Sequence, residues 1–397
     1  MSNKADGVAI PLARTWMDER EADAARRAIL SGWITQGPEV AAFEREFAEA
    51  VGSAHACAVS SCTTALHLAL LAAGVRPGDE VITASSSFIA TANAIRYCGA
   101  MPVFVDVQPS TYNMDPGLVA TAITPRTRAV LAVHQLGMPC DLAALVPIAR
   151  SHNVALVEDA ACAIGSEIAI DGRWSRVGPP HGDIACFSLH PRKLVTTGDG
   201  GMLTTRDGAV DEQFRLLRQH GMSVPDTVRH ASATVVAETY PVLGYNYRLT
   251  DIQAAVGREQ LARLDAVVRR RRELAATYQR ELARIDGILL PEEPSWARTN
   301  WQSYCVRLAP HLDQRTIMQR MLDRGVSTRR GVMCAHREAA YPPGAWRCGA
   351  GCNGTACTHL RVSEAVQDTG LILPLYQQMT DEEQARVIDA LAAAATA

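Results

Sequence analysis

The chain has 397 residues, 48% of them hydrophobic, and a formal net charge of -3 with a pI near 6.4. That length predicts a large domain with a smaller companion, and the charge balance gives no electrostatic case for binding nucleic acid or an anionic membrane surface. No stretch approaches 18 uninterrupted apolar residues and Met1 to Gly7 lacks the apolar core of a signal peptide, so the expected location is the cytoplasm.

Residues 1–24 read as an arm with Pro11, Arg14 and Trp16, leading into a helical pattern at 19–30. Ser31-Gly32-Trp33-Ile34-Thr35-Gln36-Gly37-Pro38 is a glycine-bounded loop whose Trp33 and Thr35 either face a ligand or simply connect two helices. From 55 to 206 short apolar runs alternate with helical patterns. Strands are expected at 56–59, 80–83, 102–106, 129–134, 155–158, 184–188 and 201–205. Continuous apolar runs suit strands covered on both faces. The helical patterns include 63–73 and 141–151, the latter capped by Asp141. The expectation is an α/β domain with a mostly parallel sheet, whose ligands collect at the carboxyl ends of its strands.

Residues 207–243 read as less regular, and a long helix is expected from Thr250, opened by a capping box with Gln253, to near 284. A second domain follows, with a strand at 301–308, a helix at 312–324, a cysteine loop and a terminal helix opening at Thr380-Asp381-Glu382-Glu383. The divisions are therefore 1–24, 25–255 and 256–397. Most of the eleven cysteines lie in or beside apolar segments, where a thiol acts as a small hydrophobe. Cys348, Cys352 and Cys357 cluster near Cys334, His336 and His359, but not with the paired C-x2-C spacing of common zinc sites, and the loop reads as reduced and metal-free.

Only two of the 39 basic residues are lysines, Lys4 and Lys193. Surface charge is carried by arginine, so a lysine beside the apolar strand 184–188 points to amine chemistry, which a guanidinium cannot supply. Three further segments fall at strand ends. Ser60-Ser61-Cys62-Thr63-Thr64 opens a helix, where backbone N–H groups and hydroxyls favour a phosphate. Ser85-Ser86-Ser87-Phe88 places an aromatic after a polar loop. Glu158-Asp159 puts carboxylates at the end of a buried strand, which is costly unless they are paired. Together these suit pyridoxal phosphate: a Schiff base on Lys193, Asp159 at the protonated ring nitrogen, Ser188 and the loop at Cys62 to Thr64 on the phosphate, and Phe88 over the ring.

The order of Ala65-Leu66-His67-Leu68, Phe88-Ile89-Ala90-Thr91-Ala92-Asn93, Glu158-Asp159-Ala160-Ala161, Ser188-Leu189-His190-Pro191-Arg192-Lys193, Thr197-Gly198-Asp199-Gly200-Gly201, Arg218-Gln219-His220-Gly221-Met222 and Gly244-Tyr245-Asn246-Tyr247-Arg248 resembles the DegT/DnrJ/EryC1/StrS family of aminotransferases over nearly the whole chain. The resemblance implies the fold type I, aspartate aminotransferase-like architecture: a seven-stranded mostly parallel sheet in a large domain and a smaller α/β domain. It implies pyridoxal 5'-phosphate as cofactor, Lys193 as its covalent partner and proton-shuttling base, and Asp159, Thr63, Ser188 and Phe88 as cofactor contacts. It also implies a homodimer in which Asn246 reaches the neighbouring subunit's cofactor. Trp33, Thr35, His190, His220 and Tyr245 are candidate substrate contacts. Two positions depart from the family pattern: Cys62 replaces a glycine before the phosphate-binding Thr63, and Cys162 replaces a glutamine that contacts the cofactor.

The expected activity is a ping-pong transfer of an amino group from an amino acid, glutamate before glutamine, to a nucleotide-linked 4-keto or 3-keto sugar. The alternatives are a keto-cyclitol or another keto metabolite as acceptor, or a non-catalytic regulatory protein that binds the cofactor.

Overall fold

The computed structural model describes residues 9–224, 229, 232–352 and 357–396; Lys4 and the first eight residues of the arm lie outside them. Strands β1 (His55–Val59), β2 (Glu80–Ala84), β3 (Met101–Val105), β4 (Thr127–Val133) and β5 (Ala155–Asp159) come first. A hairpin of β6 (Glu167–Ile170) and β7 (Arg173–Arg176) follows, then β8 (Ile184–Ser188) and β9 (Gly201–Thr205). The C-terminal region supplies β10 (Ile288–Leu289), β11 (Ala297–Arg298), β12 (Tyr304–Leu308), β13 (Arg329–Arg330), β14 (Arg347–Cys348) and β15 (Gly370–Leu373).

The main sheet runs β1-β9-β8-β5-β4-β2-β3-β14. Every pair from β8 to β14 is parallel, and β9 is antiparallel to both its neighbours. All seven expected strands are present. The sheet has an eighth, β14, which comes from the cysteine loop and pairs Arg347 with Val103 and Cys348 with Phe104. Two residues are too few to show a period, so nothing in the pattern announces it. A second, antiparallel sheet, β10-β12-β15-β13, forms the core of the C-terminal region.

Both faces of the main sheet are covered, as its apolar strands require. On one face Phe43 and Phe47 of the helix Pro38–Val51 pack against Phe187, with the Phe47 and Phe187 rings 5.2 Å apart and edge-on. All three are fully buried, worth about 1.5–3 kcal/mol each in transfer terms. The helix Cys62–Ala72 packs on the other face. The caps at Asp141, Thr250 and Thr380 form as expected, each hydroxyl or carboxylate accepting the N–H of Ala144, Gln253 and Glu383 respectively.

Three expectations change. The stretch 207–243 contains the helix Gly208–Arg218. The single long helix is two, Asp251–Leu261 and Leu264–Leu282. Between them Arg263 is buried; it pairs with Asp18 at 2.8 Å and Glu21 at 3.1 Å and lies over the Trp16 ring. Those contacts tie the arm to the break. The strand near 301 begins only at Tyr304, because Trp301 has φ +51 and cannot join a ladder.

Candidate active site

One cavity of about 470 Å³ opens at the carboxyl ends of the parallel strands. It is lined by Ser61, Cys62, Thr63, Phe88, Asp159, Cys162, Ser188, His190 and Lys193 among others. Chain segments far apart in sequence meet there because β5 and β8 are neighbours and both end at the same edge, Asp159 opposite Cys186 and Ser188 two residues on.

The Lys193 loop is held from several sides. Leu189 N–H donates to Gly200 O at 2.9 Å, and Lys193 N–H donates to His190 O at 2.8 Å. Thr15 of the arm donates to Pro191 O at 2.9 Å, and Gln302 Nε2 donates to Arg192 O at 2.7 Å. Lys193 Nζ lies 3.0 Å from Cys162 Sγ. Burial opposes the ammonium, but the sulfurs of Cys162 and Cys62 and the Asp159 carboxylate outweigh it, holding the amine above the ordinary lysine range.

Asp159 sits at the floor of the cavity, almost wholly buried. Its Oδ2 accepts from Thr91 Oγ1 at 2.8 Å, and Oδ1 accepts from Ala161 N–H at 3.2 Å. Burial raises its pKa despite these donors. A cation placed against it would favour the charged form. The neighbouring Glu158 points away from this site. Although burial disfavours its charge, His134 and the Gly182 N–H hold that carboxyl below its ordinary range. Cys140 N–H donates to His134 Nδ1 at 2.9 Å, which makes His134 Nε2 the donor to Glu158 at 3.1 Å.

The helix Cys62–Ala72 also begins at the cavity, with Ser61 and Thr64 forming its capping box. Gly201 pairs with Ser188 and presses against this helix start. A Cβ on Gly201 would lie 2.4 Å from the Ser61 carbonyl and 2.7 Å from Cys62 N. That close approach brings Ser188, Thr63 and the helix N-terminus together. Cys62 lies inside the helix rather than at a left-handed position, so replacing glycine costs no backbone strain there. The residues fit pyridoxal phosphate: an anion site at a helix N-terminus, a carboxylate for the ring nitrogen, and an amine between them.

The other expected residues are placed elsewhere. Trp33 packs on Gly37 and donates Nε1–H to Gln36 O at 3.1 Å, which shapes the loop before the helix Pro38–Val51. Asp251 caps that helix, accepting from the N–H groups of Gly37, Glu39 and Val40. Thr35 and His220 are exposed, and Tyr245 stacks on Tyr247 at 4.9 Å beside His67. Asn246 bridges Gln219 and accepts from Arg248. None of these five lines the cavity of its own chain. His190 does, and its Nδ1 accepts from Arg192 N–H at 3.2 Å, which supports the turn. Phe88 is 61% exposed at the cavity edge.

The pattern did not single out Thr91, the partner of Asp159, although it lies in a quoted motif. Nor did it single out Arg192, Arg329 and Arg330, which line the cavity from the lysine loop and from β13. Arg329 is held below the usual arginine range by burial and by the charges of Arg192 and Arg330.

Residues 15–392 match the DegT/DnrJ/EryC1/StrS aminotransferase family. GDP-perosamine synthase of Caulobacter vibrioides is 38% identical over 386 residues, 96% of this chain and 97% of that protein. The aminotransferase TlmJ of Streptoalloteichus hindustanus superposes with a TM-score of 0.86 at 35% identity, covering 97% of this chain and 98% of that one. DesV of S. venezuelae superposes with a TM-score of 0.86 at 33% identity, covering 98% and 100%. The chain therefore belongs to the DegT/DnrJ/EryC1/StrS family as a pyridoxal-phosphate-dependent aminotransferase.

Proposed function

We propose that the enzyme moves an amino group from glutamate to a keto-sugar carried on a nucleoside diphosphate. The observation that carries this reading is that Lys193, Asp159 and a rim of arginines face one cavity. Pyridoxal phosphate supplies an aldehyde for the amines and a ring that accepts electrons. Asp159 would keep a proton on the ring nitrogen, and the start of the helix Cys62–Ala72 with Thr63 and Ser188 would hold the phosphate. Lys193 Nζ would take a proton from the donor's Cα and deliver it to the carbon that carried the cofactor's aldehyde, and would run the same transfer in reverse for the acceptor. Asp159, itself oriented by Thr91, stays in place throughout.

The rim favours an anionic acceptor. Arg330 pairs with Glu338 at 3.5 Å, whereas the Arg192 and Arg329 guanidinium groups have no carboxylate within ion-pair distance among the described residues. Two adjacent cations without a counter-charge suit a diphosphate or the donor's second carboxylate. The name of the Caulobacter relative, GDP-perosamine synthase, points to the same class of acceptor.

We also place the enzyme in a homodimer with shared sites. Tyr240, Val242 and Leu243, just before Asn246, are exposed, as are Phe88 and Tyr97. Asn246 does not line its own cavity, which leaves it open to the neighbouring subunit's site.

Half-reactions test the reading. Enzyme aminated with glutamate is presented with nucleotide-linked keto-sugars and, in parallel, with keto-cyclitols. Turnover of the nucleotide-linked class, with KM raised about tenfold by Arg329→Ala and kcat little changed, is expected. Turnover of keto-cyclitols alone would replace it with the uncharged-acceptor reading, and no response to any amino donor would favour a regulatory protein.

A further inference from the structure

Far from Lys193, the loop after β14 gathers four ligand-type side chains that the transamination site does not use. One ligand atom from each of Cys348, Cys352, Cys357 and His359 lies within 4.8 Å of the others. Cys348 is buried, Cys352 and Cys357 are half-buried and His359 is exposed. A tetrahedral ion with sulfur ligands at about 2.3 Å has sulfur–sulfur edges near 3.8 Å. The cluster is therefore within about 1 Å of that geometry before any ion is added. The two sulfurs of Cys352 and Cys357, now 2.8 Å apart, would separate to reach it.

The backbone is built for this convergence. Cys348 N–H donates to Cys352 O at 3.2 Å and Gly351 N–H donates to Cys348 O at 2.9 Å, closing the turn between the two thiols. Gly351 adopts φ +87, which a side chain would strain. Gly349 lies so close to the sheet that a Cβ would stand 2.8 Å from Val105 Cγ1, and its N–H donates to Phe104 O at 2.8 Å.

We propose that Cys348, Cys352, Cys357 and His359 form a structural zinc site. Three sulfurs and an imidazole suit zinc, and four protein ligands leave no position for substrate. A disulfide between Cys352 and Cys357 would leave Cys348 and His359 without a role. The ion fastens the eighth strand. Cys348 ends β14, while Leu360, next after His359, is buried with Trp346 and Phe104 and leads into the helix Arg361–Thr369. That helix is already docked on the end of β3, where Asp106 accepts the N–H groups of Val362 and Ser363 at 2.9 and 2.8 Å. Zinc would close the gap between strand and helix.

Elemental analysis of untagged full-length enzyme, purified with cofactor bound from zinc-supplemented cells, should find about one zinc per chain. Cys352→Ser and His359→Ala should each weaken zinc binding about tenfold or more while the bound-cofactor absorbance persists, which reports that the variant is folded. Cobalt added to chelator-treated enzyme should give thiolate-to-cobalt absorption that Cys352→Ser abolishes. Zinc-free wild-type enzyme that also takes up no cobalt overturns the proposal. So does zinc retained undiminished in both variants, or titration in denaturant without reductant of only nine thiols, two fewer than the chain contains.

Discussion

Thr91 Oγ1 donates a 2.8 Å hydrogen bond to Asp159 Oδ2, and Ser87 Oγ lies 2.8 Å from the same hydroxyl. A helix start and a strand end thereby orient the carboxylate that faces the cavity. Because the donor bonds a charged group, its removal costs about 1.5–3 kcal/mol. Thr91→Val, close in volume, is expected to lower kcat by roughly tenfold to a hundredfold. Thr91→Ser should recover most of it, which a loss of packing alone would not allow.

Burial lifts the Asp159 pKa in the cofactor-free chain. A carboxyl whose folded pKa lies above its unfolded value destabilises the fold once pH exceeds the folded pKa, and this penalty disappears as pH falls below the unfolded one. Asp159→Asn should therefore raise the Tm of the cofactor-free protein at neutral pH, with the gain vanishing in acid, while catalysis falls by about a hundredfold or more. A Tm unchanged at neutral pH would mean that the buried charge is already compensated.

The site was legible where chemistry sits on regular structure. Asp159 and Ser188 end apolar runs, and a parallel sheet puts such ends on one edge, so their meeting follows from the pattern. Lys193 stood out because arginine carries the remaining internal charge. Arg329 and Arg330 were not legible: β13 is two residues long and reaches the cavity from a second sheet. Trp33 shows the converse. The pattern left a ligand contact and a helix connector equally open, and its ring fills the space over Gly37, a relationship that no linear spacing encodes.

Gly201 needs no positive φ; its requirement is space. A methyl group there would stand 2.4 Å from Ser61 backbone atoms, so either β9 or the helix start must shift. Gly201→Ala is expected to cost about 1–3 kcal/mol of stability and to weaken cofactor binding about tenfold, by spreading Ser188 from the helix N-terminus. Equilibrium dialysis of the cofactor, with thermal unfolding of the cofactor-free protein, separates the two effects.

Cys162 is among the groups that raise the Lys193 pKa against burial. Removing its sulfur leaves burial less opposed, so the pKa must fall. In Cys162→Ala the pH midpoint for covalent cofactor uptake by Lys193 should move to lower pH, because the neutral amine that attacks the aldehyde appears sooner. Stopped-flow absorbance across pH measures the midpoint. A shift to higher pH would show that the sulfur does not hold the ammonium.

The proposed shared-site dimer makes a prediction that neither subunit can satisfy alone. Lys193→Ala removes the covalent anchor within a chain, and Asn246→Ala removes the contribution to the neighbour. Each homodimer should be nearly inactive. In a mixed dimer, one site combines the native Lys193 with the native Asn246, and the other combines both losses. Random reassociation of equal amounts makes half the dimers mixed, each with one intact site of two, so about a quarter of wild-type activity should return. If Asn246 served only its own chain, mixing would restore nothing. Recovery must also depend on exchange: cross-linking the homodimers before mixing should abolish it.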